Sequence, residues 1–336
     1  MISQKPRISV IIPAFNAMKT ITQTVNSVLV QTLQDFELII VNDGSQDKTL
    51  NILQSFTDSR IKILTYPNAG SSVSRNRGFR HARGEFIAFL DADDLWTADK
   101  LEAQWAALKQ NSDCHVAYSW TNFIDSCGRA LYTGSHATAS GYVLPEILLN
   151  NFLESGSNPL IHRDALETIG GFDESLSAFQ DTDLYIRLAA KFQFIAVPKV
   201  QIYYRRSENS VSSNLRNIEE SGLRSLEAIF AQLPPTLQPL KPYSVANLYK
   251  HLMFKAMQGI PTKQSSGFLL HLALRVVQTD PKILSKRVSI KLLIKLLFII
   301  ALPQKGYEYV LNRMQWLLEL RSLLGYLKTD ASLCKL

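Results

Sequence analysis

Short apolar runs that each stop abruptly at a cluster of polar residues constrain this chain more than any other feature. Residues 8–12, 36–41 and 85–90 are rich in Ile, Val, Leu and Phe, and end at 13–16 (PAFN), 42–45 (NDGS) and 91–94 (DADD). A further run lies at 61–64. Apolar residues recur at helical spacing between them: Ile21, Val25, Val28 and Leu29; Leu50, Leu53 and Phe56; Leu101, Trp105 and Leu108. Strands without polar alternation are buried on both faces. Strand–helix repetition with short connections therefore predicts a mostly parallel sheet flanked by helices. From 115 to 205 the pattern loosens, with strand-like 116–124 and 194–204 and a helix near 182–191. After Asn214 no strand pattern remains, and leucine-rich helical spacing punctuated by prolines runs on. The boundary falls there, giving regions 1–214 and 215–336.

Charge divides at the same place. Residues 1–214 carry a net −3 and residues 215–336 a net +10. Such asymmetry points to an anionic partner for the second region alone, a membrane surface or nucleic acid. Nucleic acid is disfavoured because the lysines there alternate with Leu and Ile, without aromatics interleaved for stacking. A hydrophobic fraction of 46% excludes a disordered chain, and 336 residues amount to about two domains. Three cysteines (Cys114, Cys127, Cys334) at no metal-ligand spacing, and a start lacking a signal-peptide apolar stretch, give the expectation of free thiols and a cytoplasmic protein.

In an open α/β sheet, ligands bind beyond the carboxyl ends of the strands, where the polar clusters fall. A glycine-rich dinucleotide fingerprint and a Walker lysine loop are both missing from the first turn. Asp91 and Asp93 are two apart, so in an extended segment their carboxylates share a side and suit a hard divalent cation that also holds phosphate oxygens. The competing reading is a solvated acidic turn capping a helix that starts near Thr97.

The runs ISVIIPAFN (8–16), ELIIVNDGSQD (37–47), NAGSSVSRNRG (68–78), GEFIAFLDADD (84–94), GGFDE (170–174), QDTD (180–183) and YRRSENSVS (204–212) occur in this order. Together they resemble the inverting family 2 glycosyltransferases over residues 7–212. The resemblance implies a GT-A type, Rossmann-like sheet followed here by a helical C-terminal region. It also implies a metal-dependent hexosyl transfer from a nucleotide diphosphate sugar, UDP- or dTDP-linked, to a hydroxyl of a glycan or lipid-linked acceptor in cell-envelope or polysaccharide synthesis. Pro13, Ala14, Phe15 and Asn16 would wrap the nucleoside, and Asp43 would accept a hydrogen bond from the base. Arg75 would sit by the diphosphate; it could also be one of several arginines on a solvated helix face. Asp91 would approach the ribose, with Ala92 in the same nucleotide-sugar site. Asp93, with Asp91, would hold Mg²⁺ or Mn²⁺. Asp181 would be the catalytic base, with Asp183 the lesser choice. Two positions depart from the family pattern: Gln180 stands where Glu is usual, and Ser207 replaces a His. A catalytically silent binding protein on the same fold and a nucleotidyltransferase are the alternatives. His162, in the acceptor region, reads as structural.

Residues 283–301 would span about 28 Å as a helix, but Lys286, Arg287, Lys291 and Lys295 interrupt them. The longest apolar run, 296–302, is far short of the ~20 residues needed to cross a bilayer. Arg287, Lys291 and Lys295 at i, i+4 and i+8 predict a basic stripe toward anionic headgroups; the alternative is a core helix whose lysines reach the surface.

Overall fold

The computed structural model describes residues 5–206, 214–257 and 266–303, with isolated positions between 306 and 327. These residues form two compact units. The first runs to Ile147 and resumes over Asn151–Ser210; the second takes Leu148–Asn150 and the described residues from 214 on.

The first unit begins with the expected alternation: β1 (Ile8–Ala14), α1 (Ile21–Leu29), β2 (Phe36–Asp43), α2 (Thr49–Gln54), β3 (Ile61–Tyr66), α3 (Ser71–His81) and β4 (Phe86–Phe89). These strands pair in parallel in the order β3-β2-β1-β4. Ile8, Val10, Ile11 and Ile12 are fully buried, because β1 has neighbours on both sides and helices on both faces. The chain leaves β1 toward β2 and β3 and returns to β1's other edge with β4, so a switch point opens at the carboxyl ends of β1 and β4.

Next come β5 (Leu95–Trp96), α4 (Lys100–Gln110), β6 (Cys114–Ile124), β7 (Ala130–Thr133), α5 (Leu144–Leu149), β8 (Leu160–His162), α6 (Arg163–Thr168), α7 (Gln180–Ala189) and β9 (Gln193–Arg205). β8 runs antiparallel between β4 and β6, β9 lies parallel to β6, and β5 closes the far edge antiparallel to β9. The short strands β5, β7 and β8 carry too few residues to show a period, so the sequence did not reveal them. His162 pairs with Phe86 at the start of β4, away from the carboxyl end that leads to Asp91; it stands edge-on to Phe86 and His115.

One glycine fixes how α3 meets the sheet. A Cβ on Gly78 would lie 2.4 Å from Cγ2 of Ile11, so only glycine lets this turn touch β1. Arg75, three residues earlier on the same helix face, is thereby carried inward to the strand ends.

Helices make up the described part of the second unit: α8 (Leu215–Phe230), α9 (Lys241–Ala256), α10 (Ser266–Thr279) and α11 (Arg287–Ala301). None is long and apolar enough to cross a membrane. The basic stripe expected on the last helix does not form. Residues 283–285 belong to a separate 3₁₀ turn. Lys295 is fully buried, its Nζ donating to the Met257 carbonyl at 2.8 Å. At about 100° per residue, positions 287 and 295 are about 80° apart around the helix, enough to turn Lys295 inward. Ile290, Leu293, Leu297 and Ile300 face outward instead.

Lys100 is the least comfortable group in the first unit. It is fully buried, its Nζ has no hydrogen-bond partner among the described residues, and it lies 3.9 Å from the centre of the Trp96 ring. Burial pushes its pKa well below the usual 10.5, so the folded chain holds the proton less tightly than the unfolded chain. The unfolded state thus binds the extra proton, and stability rises with pH up to about 10.5. Lys100→Met, of similar volume, removes the unpaired amine and is expected to stabilise the protein by about 1–3 kcal/mol at pH 7. The advantage should narrow as pH nears that of the free lysine; thermal unfolding of both proteins from pH 7 to 10.5 measures it.

Candidate active site

The loops after β1 and β2 lock together. Asn16 adopts φ +49°, its N–H donates to Ser45 Oγ at 3.1 Å, and its Oδ1 accepts from the Gln46 N–H at 2.8 Å. Ala17 N–H donates to Thr49 Oγ1 and Met18 N–H to Asp47 Oδ2. Pro13 and Ala14 close β1, whereas the Phe15 ring is left about half exposed at the strand end.

Asp43 ends β2 and is buried. Its Oδ1 accepts from Ala69 N–H at 3.0 Å and its Oδ2 from Gly70 N–H at 2.9 Å, with Arg77 Nη1 3.3 Å from Oδ1. The carboxylate therefore shapes the loop ahead of α3; Oδ1 accepts twice, and Oδ2 keeps a second lone pair for a ligand.

Residues 91–94 form a turn, not the extended segment expected: Asp94 N–H donates back to the Asp91 carbonyl at 3.1 Å. The turn, rather than strand alternation, brings Asp91 and Asp93 into one cluster. It does not cap the next helix, which begins at Lys100. Asp94 anchors it. Its Oδ1 accepts from Arg205 N–H (2.9 Å), and its Oδ2 from Ser155 Oγ (3.0 Å) and Ser157 Oγ (2.6 Å). The Thr20 and Thr24 hydroxyls hold the Ala92 carbonyl. Arg205, buried, donates Nε to the Asp93 carbonyl at 2.7 Å and Nη2 to Gln23. Asp94, Ser155, Ser157 and Arg205 had no role assigned from sequence; the only signals were the third acid of DADD, a small polar tract at 155–158, and the basic pair at 205–206.

Arg75 is not on a solvated face, since its side chain is only 5% exposed. Its Nη2 meets Asp91 Oδ1 at 2.5 Å, and its Nη1 meets Gln180 Oε1 at 3.2 Å and lies 3.8 Å from Asp181 Oδ1. Burial opposes its charge, but Asp91 and Asp181 outweigh that and raise its pKa. Burial, then the Asp91 charge, pushes Asp93 up to about 6. Burial, then Asp93 and Asp91, likewise pushes Asp94 well above the usual carboxylate range.

Asp181 sits in the first turn of α7, where a carboxylate opposes the helix dipole. Its side chain remains 31% exposed. A Cβ on Gly156 would come within 2.8 Å of its Oδ1, so the 155–157 loop approaches the carboxylate only because glycine stands there. Asp183 is buried and engaged twice by Arg187, at 2.7 and 2.6 Å, which also donates to the Ile169 and Gly171 carbonyls. Asp183 therefore holds the fold. Ser207 and the rest of 207–212 lie outside the described residues.

Among the described residues no three His, Cys, Asp or Glu side chains form a ready metal cage. The Asp91–Asp93 pair still fits a divalent cation that brings phosphate oxygens as its remaining ligands. Burial and the neighbouring charge disfavour a second negative charge there, and a cation would relieve it.

The sequence profile of Glycosyltransferase like family 2 matches residues 9–255. TuaG of Bacillus subtilis strain 168, a putative teichuronic acid biosynthesis glycosyltransferase, is 34% identical over 64% of this chain and 84% of its own length. WfgD of Escherichia coli, a UDP-Glc:α-D-GlcNAc-diphosphoundecaprenol β-1,3-glucosyltransferase, is 41% identical over 34% of this chain, a match that spans 45% of WfgD. Two solved structures share the fold: residues 1–349 of S. aureus TarS in complex with UDP-GlcNAc (TM-score 0.56, 17% identity, 81% of this chain and 89% of that one). The other is the mannosyltransferase PcManGT from Pyrobaculum calidifontis with GDP-Man and Mn²⁺ (TM-score 0.56, 18% identity, 94% and 86%). The motifs in order, the acidic turn at the switch point and the profile match over most of the chain agree: this chain belongs to the glycosyltransferase-like family 2, on the GT-A type of α/β fold.

Proposed function

We propose that the chain is an inverting glycosyltransferase of cell-envelope polysaccharide synthesis, moving a hexose from UDP or dTDP to a hydroxyl of a glycan or lipid-linked acceptor. One observation carries this reading: Arg75 is shared between the acidic turn and Asp181, so a partly exposed carboxylate faces the cluster that would hold a diphosphate. The names of TuaG and WfgD, a teichuronic acid and a lipid-diphosphate glycosyltransferase, support the setting.

The loop 13–16 with Asp43 would take the nucleoside. Arg75 would turn its fork toward the diphosphate, where planar N–H pairs suit phosphate oxygens. Asp91 and Asp93 would hold Mg²⁺ or Mn²⁺, which neutralises charge gathering on the diphosphate. Asp181 takes the proton of the acceptor hydroxyl as its oxygen bonds the anomeric carbon. The carbon–oxygen bond to the diphosphate breaks on the opposite face, and its electron pair leaves with the nucleotide. One displacement inverts the centre and needs no enzyme nucleophile.

The second unit would work at the cytoplasmic face of an anionic membrane, where a lipid-linked acceptor resides. Its support is the outward face of α11, Ile290, Leu293, Leu297 and Ile300, with Leu284 and exposed Lys282, Lys286 and Arg287 at one end. Apolar residues would enter the acyl boundary while that basic end meets headgroups.

Asp181→Asn is expected to lower kcat by about 10²–10⁴ with UDP affinity retained, read as UDP release from UDP-glucose with GlcNAc-diphosphoundecaprenol. Wild-type turnover would remove Asp181 from the chemistry. By calorimetry with Mn²⁺, Asp93→Ala should abolish the metal-dependent part of UDP binding. Asp43→Ala should weaken binding with or without metal and relax base preference. In flotation, the protein should rise with phosphatidylglycerol vesicles at low salt, less at high salt, and not when Leu293 and Leu297 are both changed to Glu. Failure to float at low salt would return α11 to a purely structural role.

A further inference from the structure

Gln180 stands in the middle of the site, and its three hydrogen bonds leave no choice of orientation. Oε1 accepts from Arg75 Nη1 at 3.2 Å and from Ser71 Oγ at 2.8 Å; Nε2 donates to the Leu176 carbonyl at 2.8 Å. Arg75 can only donate and a carbonyl can only accept, so the amide oxygen must face α3 and the nitrogen must face the loop before α7.

What this does for Arg75 follows from the distances. The guanidinium is walled by the Phe172 ring, 5.0 Å away, and is tied by Nη2 to Asp91. Its other terminal nitrogen has two acceptors in reach, Gln180 Oε1 at 3.2 Å and Asp181 Oδ1 at 3.8 Å. The first is a hydrogen bond and the second is not. Nη1 has two N–H groups, so without the amide oxygen a shift of about 1 Å would exchange the ion pair for a hydrogen bond, which closes at about 2.8 Å when charge-assisted. The exchange would place a buried, permanently charged donor on the carboxylate that must accept a proton.

We propose that Gln180 is a positioning residue: its amide oxygen takes one N–H of Arg75 Nη1, keeping the guanidinium bonded to Asp91 and at ion-pair rather than hydrogen-bond distance from Asp181, so that Arg75 does not claim the oxygen that must accept the acceptor's proton. This rests on the reading of Asp181 as the base. The role belongs to the acceptor atom at the end of the side chain, and the bond to Leu176 serves to aim it.

Two variants separate this role from a structural one. Gln180→Leu keeps the bulk and removes the acceptor; Gln180→Glu keeps an acceptor for Arg75 and Ser71 but loses the donor to Leu176. UDP release from UDP-glucose with GlcNAc-diphosphoundecaprenol gives kcat, and calorimetry with UDP and Mn²⁺ gives affinity. The leucine variant should lose about 10- to 100-fold in kcat, part of the worth of a positioned base, with UDP affinity within about threefold. The glutamate variant should recover kcat to within about threefold of wild type. If Gln180 only braces the loop, both variants lose the Leu176 bond and slow alike. Equal slowing, or wild-type kcat in the leucine variant, overturns the proposal. Asp181→Asn measured alongside tells the two readings apart. A slow Asp181→Asn beside a fast Gln180→Leu rejects the role of Gln180 alone, whereas a fast Asp181→Asn rejects the base and this role with it.

Discussion

Four carboxylates, Asp91, Asp93, Asp94 and Asp181, gather around two buried guanidiniums, Arg75 and Arg205, and the first unit is arranged to make that tolerable. Burial, and then the like charges of the neighbouring carboxylates, raises the pKa values of Asp93 and Asp94. Asp94 is held by hydrogen bonds from two serines and a main-chain N–H, which keep the turn in shape. Arg205 braces the turn from β9, and Arg75 reaches it from α3. Gly78 and Gly156 make the two close approaches: one seats the helix that carries Arg75, the other admits the loop that carries the serines.

The sequence shows the strands that feed this cluster because β1, β2 and β4 are buried on both faces and leave unbroken apolar runs. It shows Asp43, Asp91, Asp93 and Asp181 because each stands at the end of such a run or in a motif that resembles a known family. What it hides is set by long-range geometry. Asp94 meets Ser155 and Ser157, sixty-odd residues away, through a hydroxyl pairing that leaves no periodic trace. Arg75 lies in a stretch dense with arginines, and its burial beside Gly78, unlike the exposure of Arg80 and Arg83, leaves no mark in the sequence. The extended reading of 91–94 failed because the turn is closed by a main-chain bond, which side-chain spacing does not report. The basic stripe on α11 failed through a small angular drift, which carried Lys295 into the core and left its pKa depressed by burial to about 8.

The two sides of the site are built differently. On the β1–β2 side the loops are locked by hydrogen bonds to Asn16, Asp43, Asp47 and Thr49, a preformed bed. On the Asp181 side the backbone is strained. Glu154 and Phe179 adopt left-handed φ of +66° and +64° with bulky side chains, each costing on the order of 1 kcal/mol or more. Glu154 precedes the serine–glycine loop against Asp181, and Phe179 precedes α7. Burial pushes the Glu154 carboxyl up to about 7, and its Oε2 has no hydrogen-bond partner among the described residues. Strain of this kind persists only where surrounding structure enforces it, and here the anchoring of Asp94 and the triple bonding of Gln180 do so on either flank. A rigid bed opposite a strained wall suits a site that grips one substrate by a constant part and must place a single carboxylate for the other.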